Sequence, residues 1–500
     1  MNTVLSMSLT LGLCALVTVG MIIGADASSQ GSLKIAFMLV LALSLLASML
    51  WYRVAQRRYL LGLLFLTAPF DVSKAVVAPV GQFYSPALYV TVAEAVTVLL
   101  ALVWAVEQLF QRRMKLPVSP LDALALGFLA LVWFGALHAG AGVQSFSSAT
   151  AYSLCVLGFY VVSHTVQTKE DVRLVLFMVF ISFCLQAVYV AAQMGTHSFL
   201  TLPGAKVAPV GTQGLSFEAE QVEAFRPVGS FDHPNALASY LTLLLSPALA
   251  LVLMTRRRLP ARVWTAALVV LTVAVALLLL TLSRGGWAAF LLGAALVGVV
   301  YWRKHLIGSG YLLVIAGGTL TALIAVVAIY PQIVLRLTES DARSTESRIV
   351  LSDQALTIIK AHPLIGVGYG GYNRAAIDNT PPSFALISED YQKQLLQLVV
   401  HNHYLLLAAE LGVPAMLYWI FLMLRFIRQA WPLSRWKDPG MFALAVGLAG
   451  ALLSQMLYLA SDNYYADIRV FLLWVTAGVL QALNLQTDGA PRAAPLEAAP

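Results

Sequence analysis

Val263-Trp264-Thr265-Ala266-Ala267-Leu268-Val269-Val270-Leu271-Thr272-Val273-Ala274-Val275-Ala276-Leu277-Leu278-Leu279-Leu280-Thr281-Leu282 runs without a charge into Ser283-Arg284-Gly285-Gly286, and a second apolar run follows to Trp302. About 20 apolar residues suffice for one α-helix to cross roughly 30 Å of hydrocarbon. Comparable runs recur along all 500 residues, 60% of which are hydrophobic and 11% charged, with a mean hydropathy of +0.81. Soluble domains are about 45–50% apolar and about 25% charged. The reading is an all-α polytopic membrane protein of about 12–14 transmembrane helices. A β-barrel requires dyad alternation, which continuous Leu/Val/Ala blocks lack.

Working outward, spans are predicted near 4–24, 35–52, 59–70, 86–110, 121–138, 151–164, 172–194, 235–254, 263–282, 286–302, 311–330, 404–426, 441–459 and 468–485. The third is short enough to be tilted, re-entrant or merged with its neighbour. The first lacks the basic start of a cleavable signal and reads as a true span. The net charge of +7 suggests nucleic acid, yet the basic residues sit in short connections. Arg53/Arg57/Arg58, Arg112/Arg113/Lys115, Lys169/Arg173, Arg256/Arg257/Arg258/Arg262, Arg303/Lys304 and Arg425/Arg428/Arg435/Lys437 alternate with weakly charged connections. The basic side is expected to be cytoplasmic, with both termini on it. Cys14, Cys155 and Cys184 lie in apolar runs without metal or pairing spacing and read as packing residues.

Two outward connections are long, 195–234 and 331–400, and loops of that length are functional or disordered. The organisation expected is therefore transmembrane helices over 1–330 with a loop near 195–234, a large partly helical loop or lid over 331–400, C-terminal transmembrane helices over 401–485, and a disordered tail over 486–500. In the large loop Thr345 is expected to cap a helix striped by Leu351, Ala355, Ile358 and Ile359 and stopped at His362-Pro363. A second short helix is expected around 389–400, leading into the next span.

The candidate residues gather at the outward ends. Arg284 lies at a membrane boundary, where a charge is a functional-site hypothesis, against the alternative of a side chain snorkelling to lipid phosphate. Its neighbours Gly285 and Gly286 favour close backbone approach. Arg226 stands beside a helix start at Pro234, where Asp232 or His233 fits the cap and an anion would be favoured. Arg336, Arg343 and Arg348 form a second basic group, and Arg348 beside a helix start suits a diphosphate. Residues 366–372, Gly-Val-Gly-Tyr-Gly-Gly-Tyr, lack the Lys-Ser/Thr of a P-loop and read as a tight turn. His401 and His403, two apart, would face about 200° from one another on a helix, which excludes a shared zinc site and leaves two candidate bases. His403 would share a face with Glu410, and His401 with Tyr404. Pro414 is expected to kink the span.

His401-Asn402-His403-Tyr404-Leu405 with Glu410-Leu411-Gly412, preceded by Ser347-Arg348, by His362-Pro363-Leu364-Ile365-Gly366-Val367-Gly368 and by Ser283-Arg284-Gly285, resembles the O-antigen ligase and polymerase superfamily. The resemblance covers roughly 225–480. It implies a GT-C-type glycosyltransferase that needs no metal or other cofactor and acts at the periplasmic face of the bacterial inner membrane. The donor implied is a glycan on undecaprenyl diphosphate, and the acceptor, for the ligase within the superfamily, is lipid A-core. It places the catalytic residue at His401 and diphosphate ligands at Arg284 and Arg348. Arg226 joins them on the reading given above, and Asn402, His403, Tyr404 and Glu410 are supporting residues. No family pattern assigns Arg226, Lys206 or Glu389. Direct attack by an acceptor hydroxyl would invert the anomeric centre, with the imidazole as base. The rivals are a polymerase, a protein-glycosylating ligase, a lipid-linked oligosaccharide flippase and an envelope anchor. Against the flippase, the charges sit at one face rather than at midplane, and no internal repeat is evident.

Overall fold

A computed structural model describes residues 56–77, 88–110, 118–140, 142–200, 216–219, 222–254, 258–304, 306, 342–386, 389–396, 398–431, 433–463 and 468–487. The expected spans 4–24, 35–52 and 311–330, the tail beyond 487, Lys206 and Arg336 lie outside them. The described residues from 60 onward belong to one compact unit.

The described helices are α1 Gln56–Thr67, α2 Val92–Phe110, α3 Pro120–His138, α4 Val143–Thr165, α5 Lys169–Thr196, α6 Pro234–Leu253, α7 Ala261–Leu280 and α8 Arg284–Arg303. After them come α9 Ala342–Ala361, α10 Tyr372–Asp378, α11 Glu389–Leu395, α12 His403–Leu411, α13 Val413–Arg428, α14 Pro439–Tyr458 and α15 Ile468–Thr487. Eight of them, α3 to α8, α14 and α15, are long and apolar enough to cross a membrane. The chain is an all-α polytopic membrane protein. Two antiparallel hairpins, β1 Ser73–Val77 with β2 Leu88–Thr91 and β3 Ser216–Ala219 with β4 Val222–Phe225, are the strands of the described residues.

Burial sorts the helices. The apolar window of α6 is 89% buried, against 33% for α5, α7 and α8. α6 is therefore central, packed on α14, α8 and α7, while the outer helices turn large apolar side chains such as Phe177, Val188 and Leu291 outward, as a lipid-facing surface requires. Small residues let α6, α8 and α14 close up. A Cβ on Gly293 would meet Ser246 Oγ at 2.4 Å, and one on Gly447 would meet Pro247 Cα at 2.4 Å. Buried polar groups are paired inside, as where Gln455 donates to Ser239 O and Thr242 Oγ1.

Capping fixes several ends. Ser119 with Asp122 and Thr168 with Asp171 form capping boxes at the starts of α3 and α5, and Asp438 caps α14. Lys169 Nζ donates to Asp438 Oδ2 at 2.7 Å, and Tyr301 packs on Phe442, so the basic connections share one end of the bundle. Asn235, Ser283, His401, Tyr458 and Asp462 lie at the other.

Four local expectations are corrected. The span expected at 86–110 begins as strand β2, because Tyr89, Val90 and Thr91 are strand formers, and Glu94 Oε2 then accepts from Thr91 N at 2.7 Å to start α2. The span expected at 151–164 begins at Val143, since Ser145, Ser147 and Ser148 are small enough to be buried in the bundle. The helix expected from Thr345 begins at Ala342, so Thr345 lies inside it. The short helix expected to reach residue 400 stops at Leu395 and does not run into a span.

The third part of the chain, 401–485, departs most. The expected single span 404–426 is two helices that break at Gly412, whose φ of +84° disfavours any side chain. Pro414 therefore sits in the first turn of α13, where a missing N–H costs nothing, rather than kinking a continuous helix. α12 belongs to the large loop's own core. Leu406 and Ala409 pack with Leu351, Ala355 and Ile358 of α9, Tyr372 and Ala376 of α10, and Phe384, Leu395 and Val400.

The glycine-rich stretch explains the break. Val367 N donates to Ala409 O, Gly368 N to Glu410 O, and Val413 N to Pro363 O. A Cβ on Gly366 would lie 2.3 Å from Glu410 C, one on Gly412 2.2 Å from Leu364 O, and one on Gly368 2.3 Å from Ala139 Cα. These glycines press the turn onto the α12–α13 break and the end of α3. Gly368→Val is expected to lower the melting temperature of the purified protein and to open the loop to protease, because both the +92° φ and the close backbone are incompatible with a branched side chain. Unchanged melting and proteolysis would refute this role for the glycine.

Candidate active site

His401 lies in a bend just before α12, not on the helix. Helical spacing therefore applies to His403 but not to its neighbour. Asn402 is the cap: its Oδ1 accepts from Tyr404 N and Leu405 N, and its Nδ2 donates to Ala460 O. On the other side, Asn463 Nδ2 donates to Val400 O at 2.9 Å. His403 N donates to Leu459 O and Asp462 O. The 459–463 turn after α14 thus holds His401 on both flanks.

The two histidines then part. His403 is 4% exposed, with its ring edge-on to Trp419, and burial with the nearby Arg469 charge pushes its pKa down to about 3. It is a packing residue that stays neutral. The His401 side chain is 40% exposed and its Nδ1 lies 3.6 Å from Asp462 Oδ1, too far for a hydrogen bond. The other Asp462 oxygen accepts from Arg469 Nη1 at 2.9 Å, and Asn463 N donates to Oδ1. Burial opposes ionisation of Asp462, but Arg469 and His401 outweigh it and hold the carboxyl well below the usual carboxylate range. A permanent carboxylate therefore faces the imidazole.

A second wall comes from α6, α8 and α14. His233 caps α6 through Nδ1, which accepts from Asn235 N. Burial, with the charge of Arg226 next, pushes its pKa down to about 3. Arg469 and His401 act in the same direction and Asp462 opposes them, so these five side chains share one electrostatic neighbourhood. Asp232, the other cap expected, is exposed. Arg226 is 5% exposed; its Nε donates to Thr281 O and its Nη2 to Asn235 Oδ1. It ties the start of α6 to the turn that carries Ser283-Arg284.

Arg284 occupies the first turn of α8, behind the Ser283 cap, and is exposed. Tyr458 OH donates to Asn235 O and approaches Ser283 Oγ at 3.4 Å. A Cβ on Gly285 would stand 2.6 Å from Ser461 Oγ, so the expected close backbone approach is to the turn that also carries Asp462. The structure brings His401, Arg226 and the Arg284 helix start to one corner.

The remaining expected residues fall elsewhere. Tyr404 OH donates to Met456 O at 2.5 Å and its ring packs on Trp419, a bracing role. Glu410 is fully buried under the large loop, where Oε1 accepts from Tyr372 N. Arg348 is exposed on α9 and lines a groove with Ile349, Ser352, Asp353, Leu356 and Ser383; His401, Arg226 and Arg284 do not line it. Arg343 lies in the first turn of α9. Among the described residues no group of three or more His, Cys, Asp or Glu is set to hold a metal ion.

Asp462 and Arg469 were absent from the sequence reading. Their connection carries Asp462 and Asp467, with Arg469 just beyond it, and only the fold brings Asp462 to His401. The signal that would have found them is charge of both signs gathered at the outward turn before the last span.

A comparison with curated proteins finds no match to this chain. Residues 271–420, from the middle of α7 to the middle of α13, match the family model described as O-antigen ligase. Arg284, Arg348 and His401 all fall inside that match, and members of the family are membrane glycosyltransferase-like enzymes. The match over residues 271–420 makes this part of the chain similar to the O-antigen ligase family and supports a place in the O-antigen ligase/polymerase superfamily.

Proposed function

We propose that this protein is an O-antigen ligase of the bacterial inner membrane, which moves O-antigen from undecaprenyl diphosphate to lipid A-core at the periplasmic face. The observation that carries the reading is the half-exposed imidazole of His401 backed by the Asp462 carboxylate, beside the arginine-bearing start of α8. In this account Asp462 orients His401 with Nδ1 inward, leaving Nε2 to take the proton of the acceptor hydroxyl. The hydroxyl oxygen bonds to the anomeric carbon as the bond to the diphosphate breaks, and the electron pair leaves on the phosphate oxygen. Direct displacement inverts that carbon.

The leaving diphosphate gains charge, which Arg284 and the N–H groups of the α8 start stabilise. Arg348, which lines a separate groove on α9, is assigned the same task on the family resemblance alone, and Arg226 holds the turn beneath. Removing one charged contact costs about 1.5–3 kcal/mol, roughly a 10- to 150-fold loss. Arg284→Ala and Arg348→Ala are each expected to weaken binding of an undecaprenyl-diphosphate glycan and to slow transfer by that order. Wild-type donor affinity and turnover in both variants would overturn the diphosphate assignment.

A further inference from the structure

The turn 362–368 leaves two large apolar side chains without protein cover. Leu364 is 71% exposed and Ile365 49%, although the backbone around them is fixed by bonds from Val367 N, Gly368 N and Val413 N. A turn so tightly held does not present leucine and isoleucine to water by accident of motion, since apolar surface left wet costs stability.

What lies next to them identifies the cover. Below the turn, α13 exposes Pro414, Leu417, Phe421 and Leu424 along one stripe, while its opposite side buries Trp419, Leu422, Met423 and Phe426. The neighbouring α3, joined to α13 where Tyr418 OH donates to Leu124 O, exposes Leu126, Phe134 and Leu137. In a membrane protein these stripes face acyl chains. The turn caps both stripes at their His401 end: Pro363 O bonds Val413 N at the top of α13, and Gly368 lies against Ala139 at the top of α3.

We propose that Leu364 and Ile365 form a foot inserted among the acyl chains of the leaflet at the His401 end of the bundle. The foot continues the lipid-facing surface of α3 and α13 onto the large loop. It fixes the height of α9 and α12, and with them His401, relative to the lipid headgroups.

The test places a benzophenone amino acid at Leu364, Ile365, Leu417 or Ile349 in the full chain. The protein is reconstituted in vesicles of phosphatidylethanolamine and phosphatidylglycerol, and acyl-chain adducts are measured by mass spectrometry after irradiation. Adducts at 364 and 365 are expected at no less than about half the yield at Leu417, with several-fold less at Ile349, which lines the groove on α9. Lipid adducts absent at 364 and 365 but present at 417 would overturn the proposal. So would crosslinks from 364 to residues 1–55 of the same chain or to a second copy, because protein would then cover the turn. Because the probed positions are exposed, the labelled chains retain the fold; melting equal to wild type verifies it.

Discussion

Purified His401→Ala protein is expected to bind an undecaprenyl-diphosphate glycan with near wild-type affinity and to transfer it about 10²–10⁴-fold more slowly, the range a positioned base supplies. The split between binding and turnover follows from position. His401 is half-exposed on a segment clamped by Asn402 and Asn463, and its own side chain supports little of the packing. Truncating it removes an imidazole but leaves the 459–463 turn and the α12 cap in place. His403→Ala has the opposite signature. Its ring fills a buried site against Trp419, so the loss appears first as lower thermal stability.

Asp462→Ala is the second large effect, and it should strike fold and chemistry together. Arg469 has a side chain only 13% exposed and donates to Asp462 at 2.9 Å. Removing the carboxylate takes its charged acceptor at Asp462 from that largely covered guanidinium, and losing one partner of such a pair lowers stability by up to about 3–5 kcal/mol. Asp462→Asn separates the two consequences. The amide keeps an oxygen for Arg469 and the shape of the turn, so the protein is expected to remain folded. It no longer offers a charge to His401, so turnover should fall about 10²-fold or more, with donor binding retained. Asp462→Asn with a wild-type rate would show that the carboxylate only holds Arg469.

The bundle was legible because apolar run length maps directly onto helix length. Val263–Leu282 and the run to Trp302 fell within two residues of α7 and α8. The break at Gly412 was not legible. The apolar pattern continues through it, and what forces the break is the backbone of Leu364 pressing on Gly412 from a turn nearly fifty residues earlier. The glycines around 366 announced a close approach, but not that its partners are Glu410 and Ala139. At the site, the sequence supplied His401, Arg284 and Arg226 one by one. It could not choose between the two histidines, since that choice rests on His401 lying ahead of the helix cap. Nor could it supply Asp462, whose role arises from a turn some sixty residues further on.

The account is tested most directly by the product formed. Purified protein is incubated with an undecaprenyl-diphosphate glycan and, in separate reactions, with rough lipopolysaccharide, with further donor alone, or with an acceptor protein. A glycan joined to lipid A-core, formed by wild type and lost in His401→Ala, is the predicted result. Joined repeat units from donor alone, a glycosylated protein, or undiminished ligation by His401→Ala would contradict it.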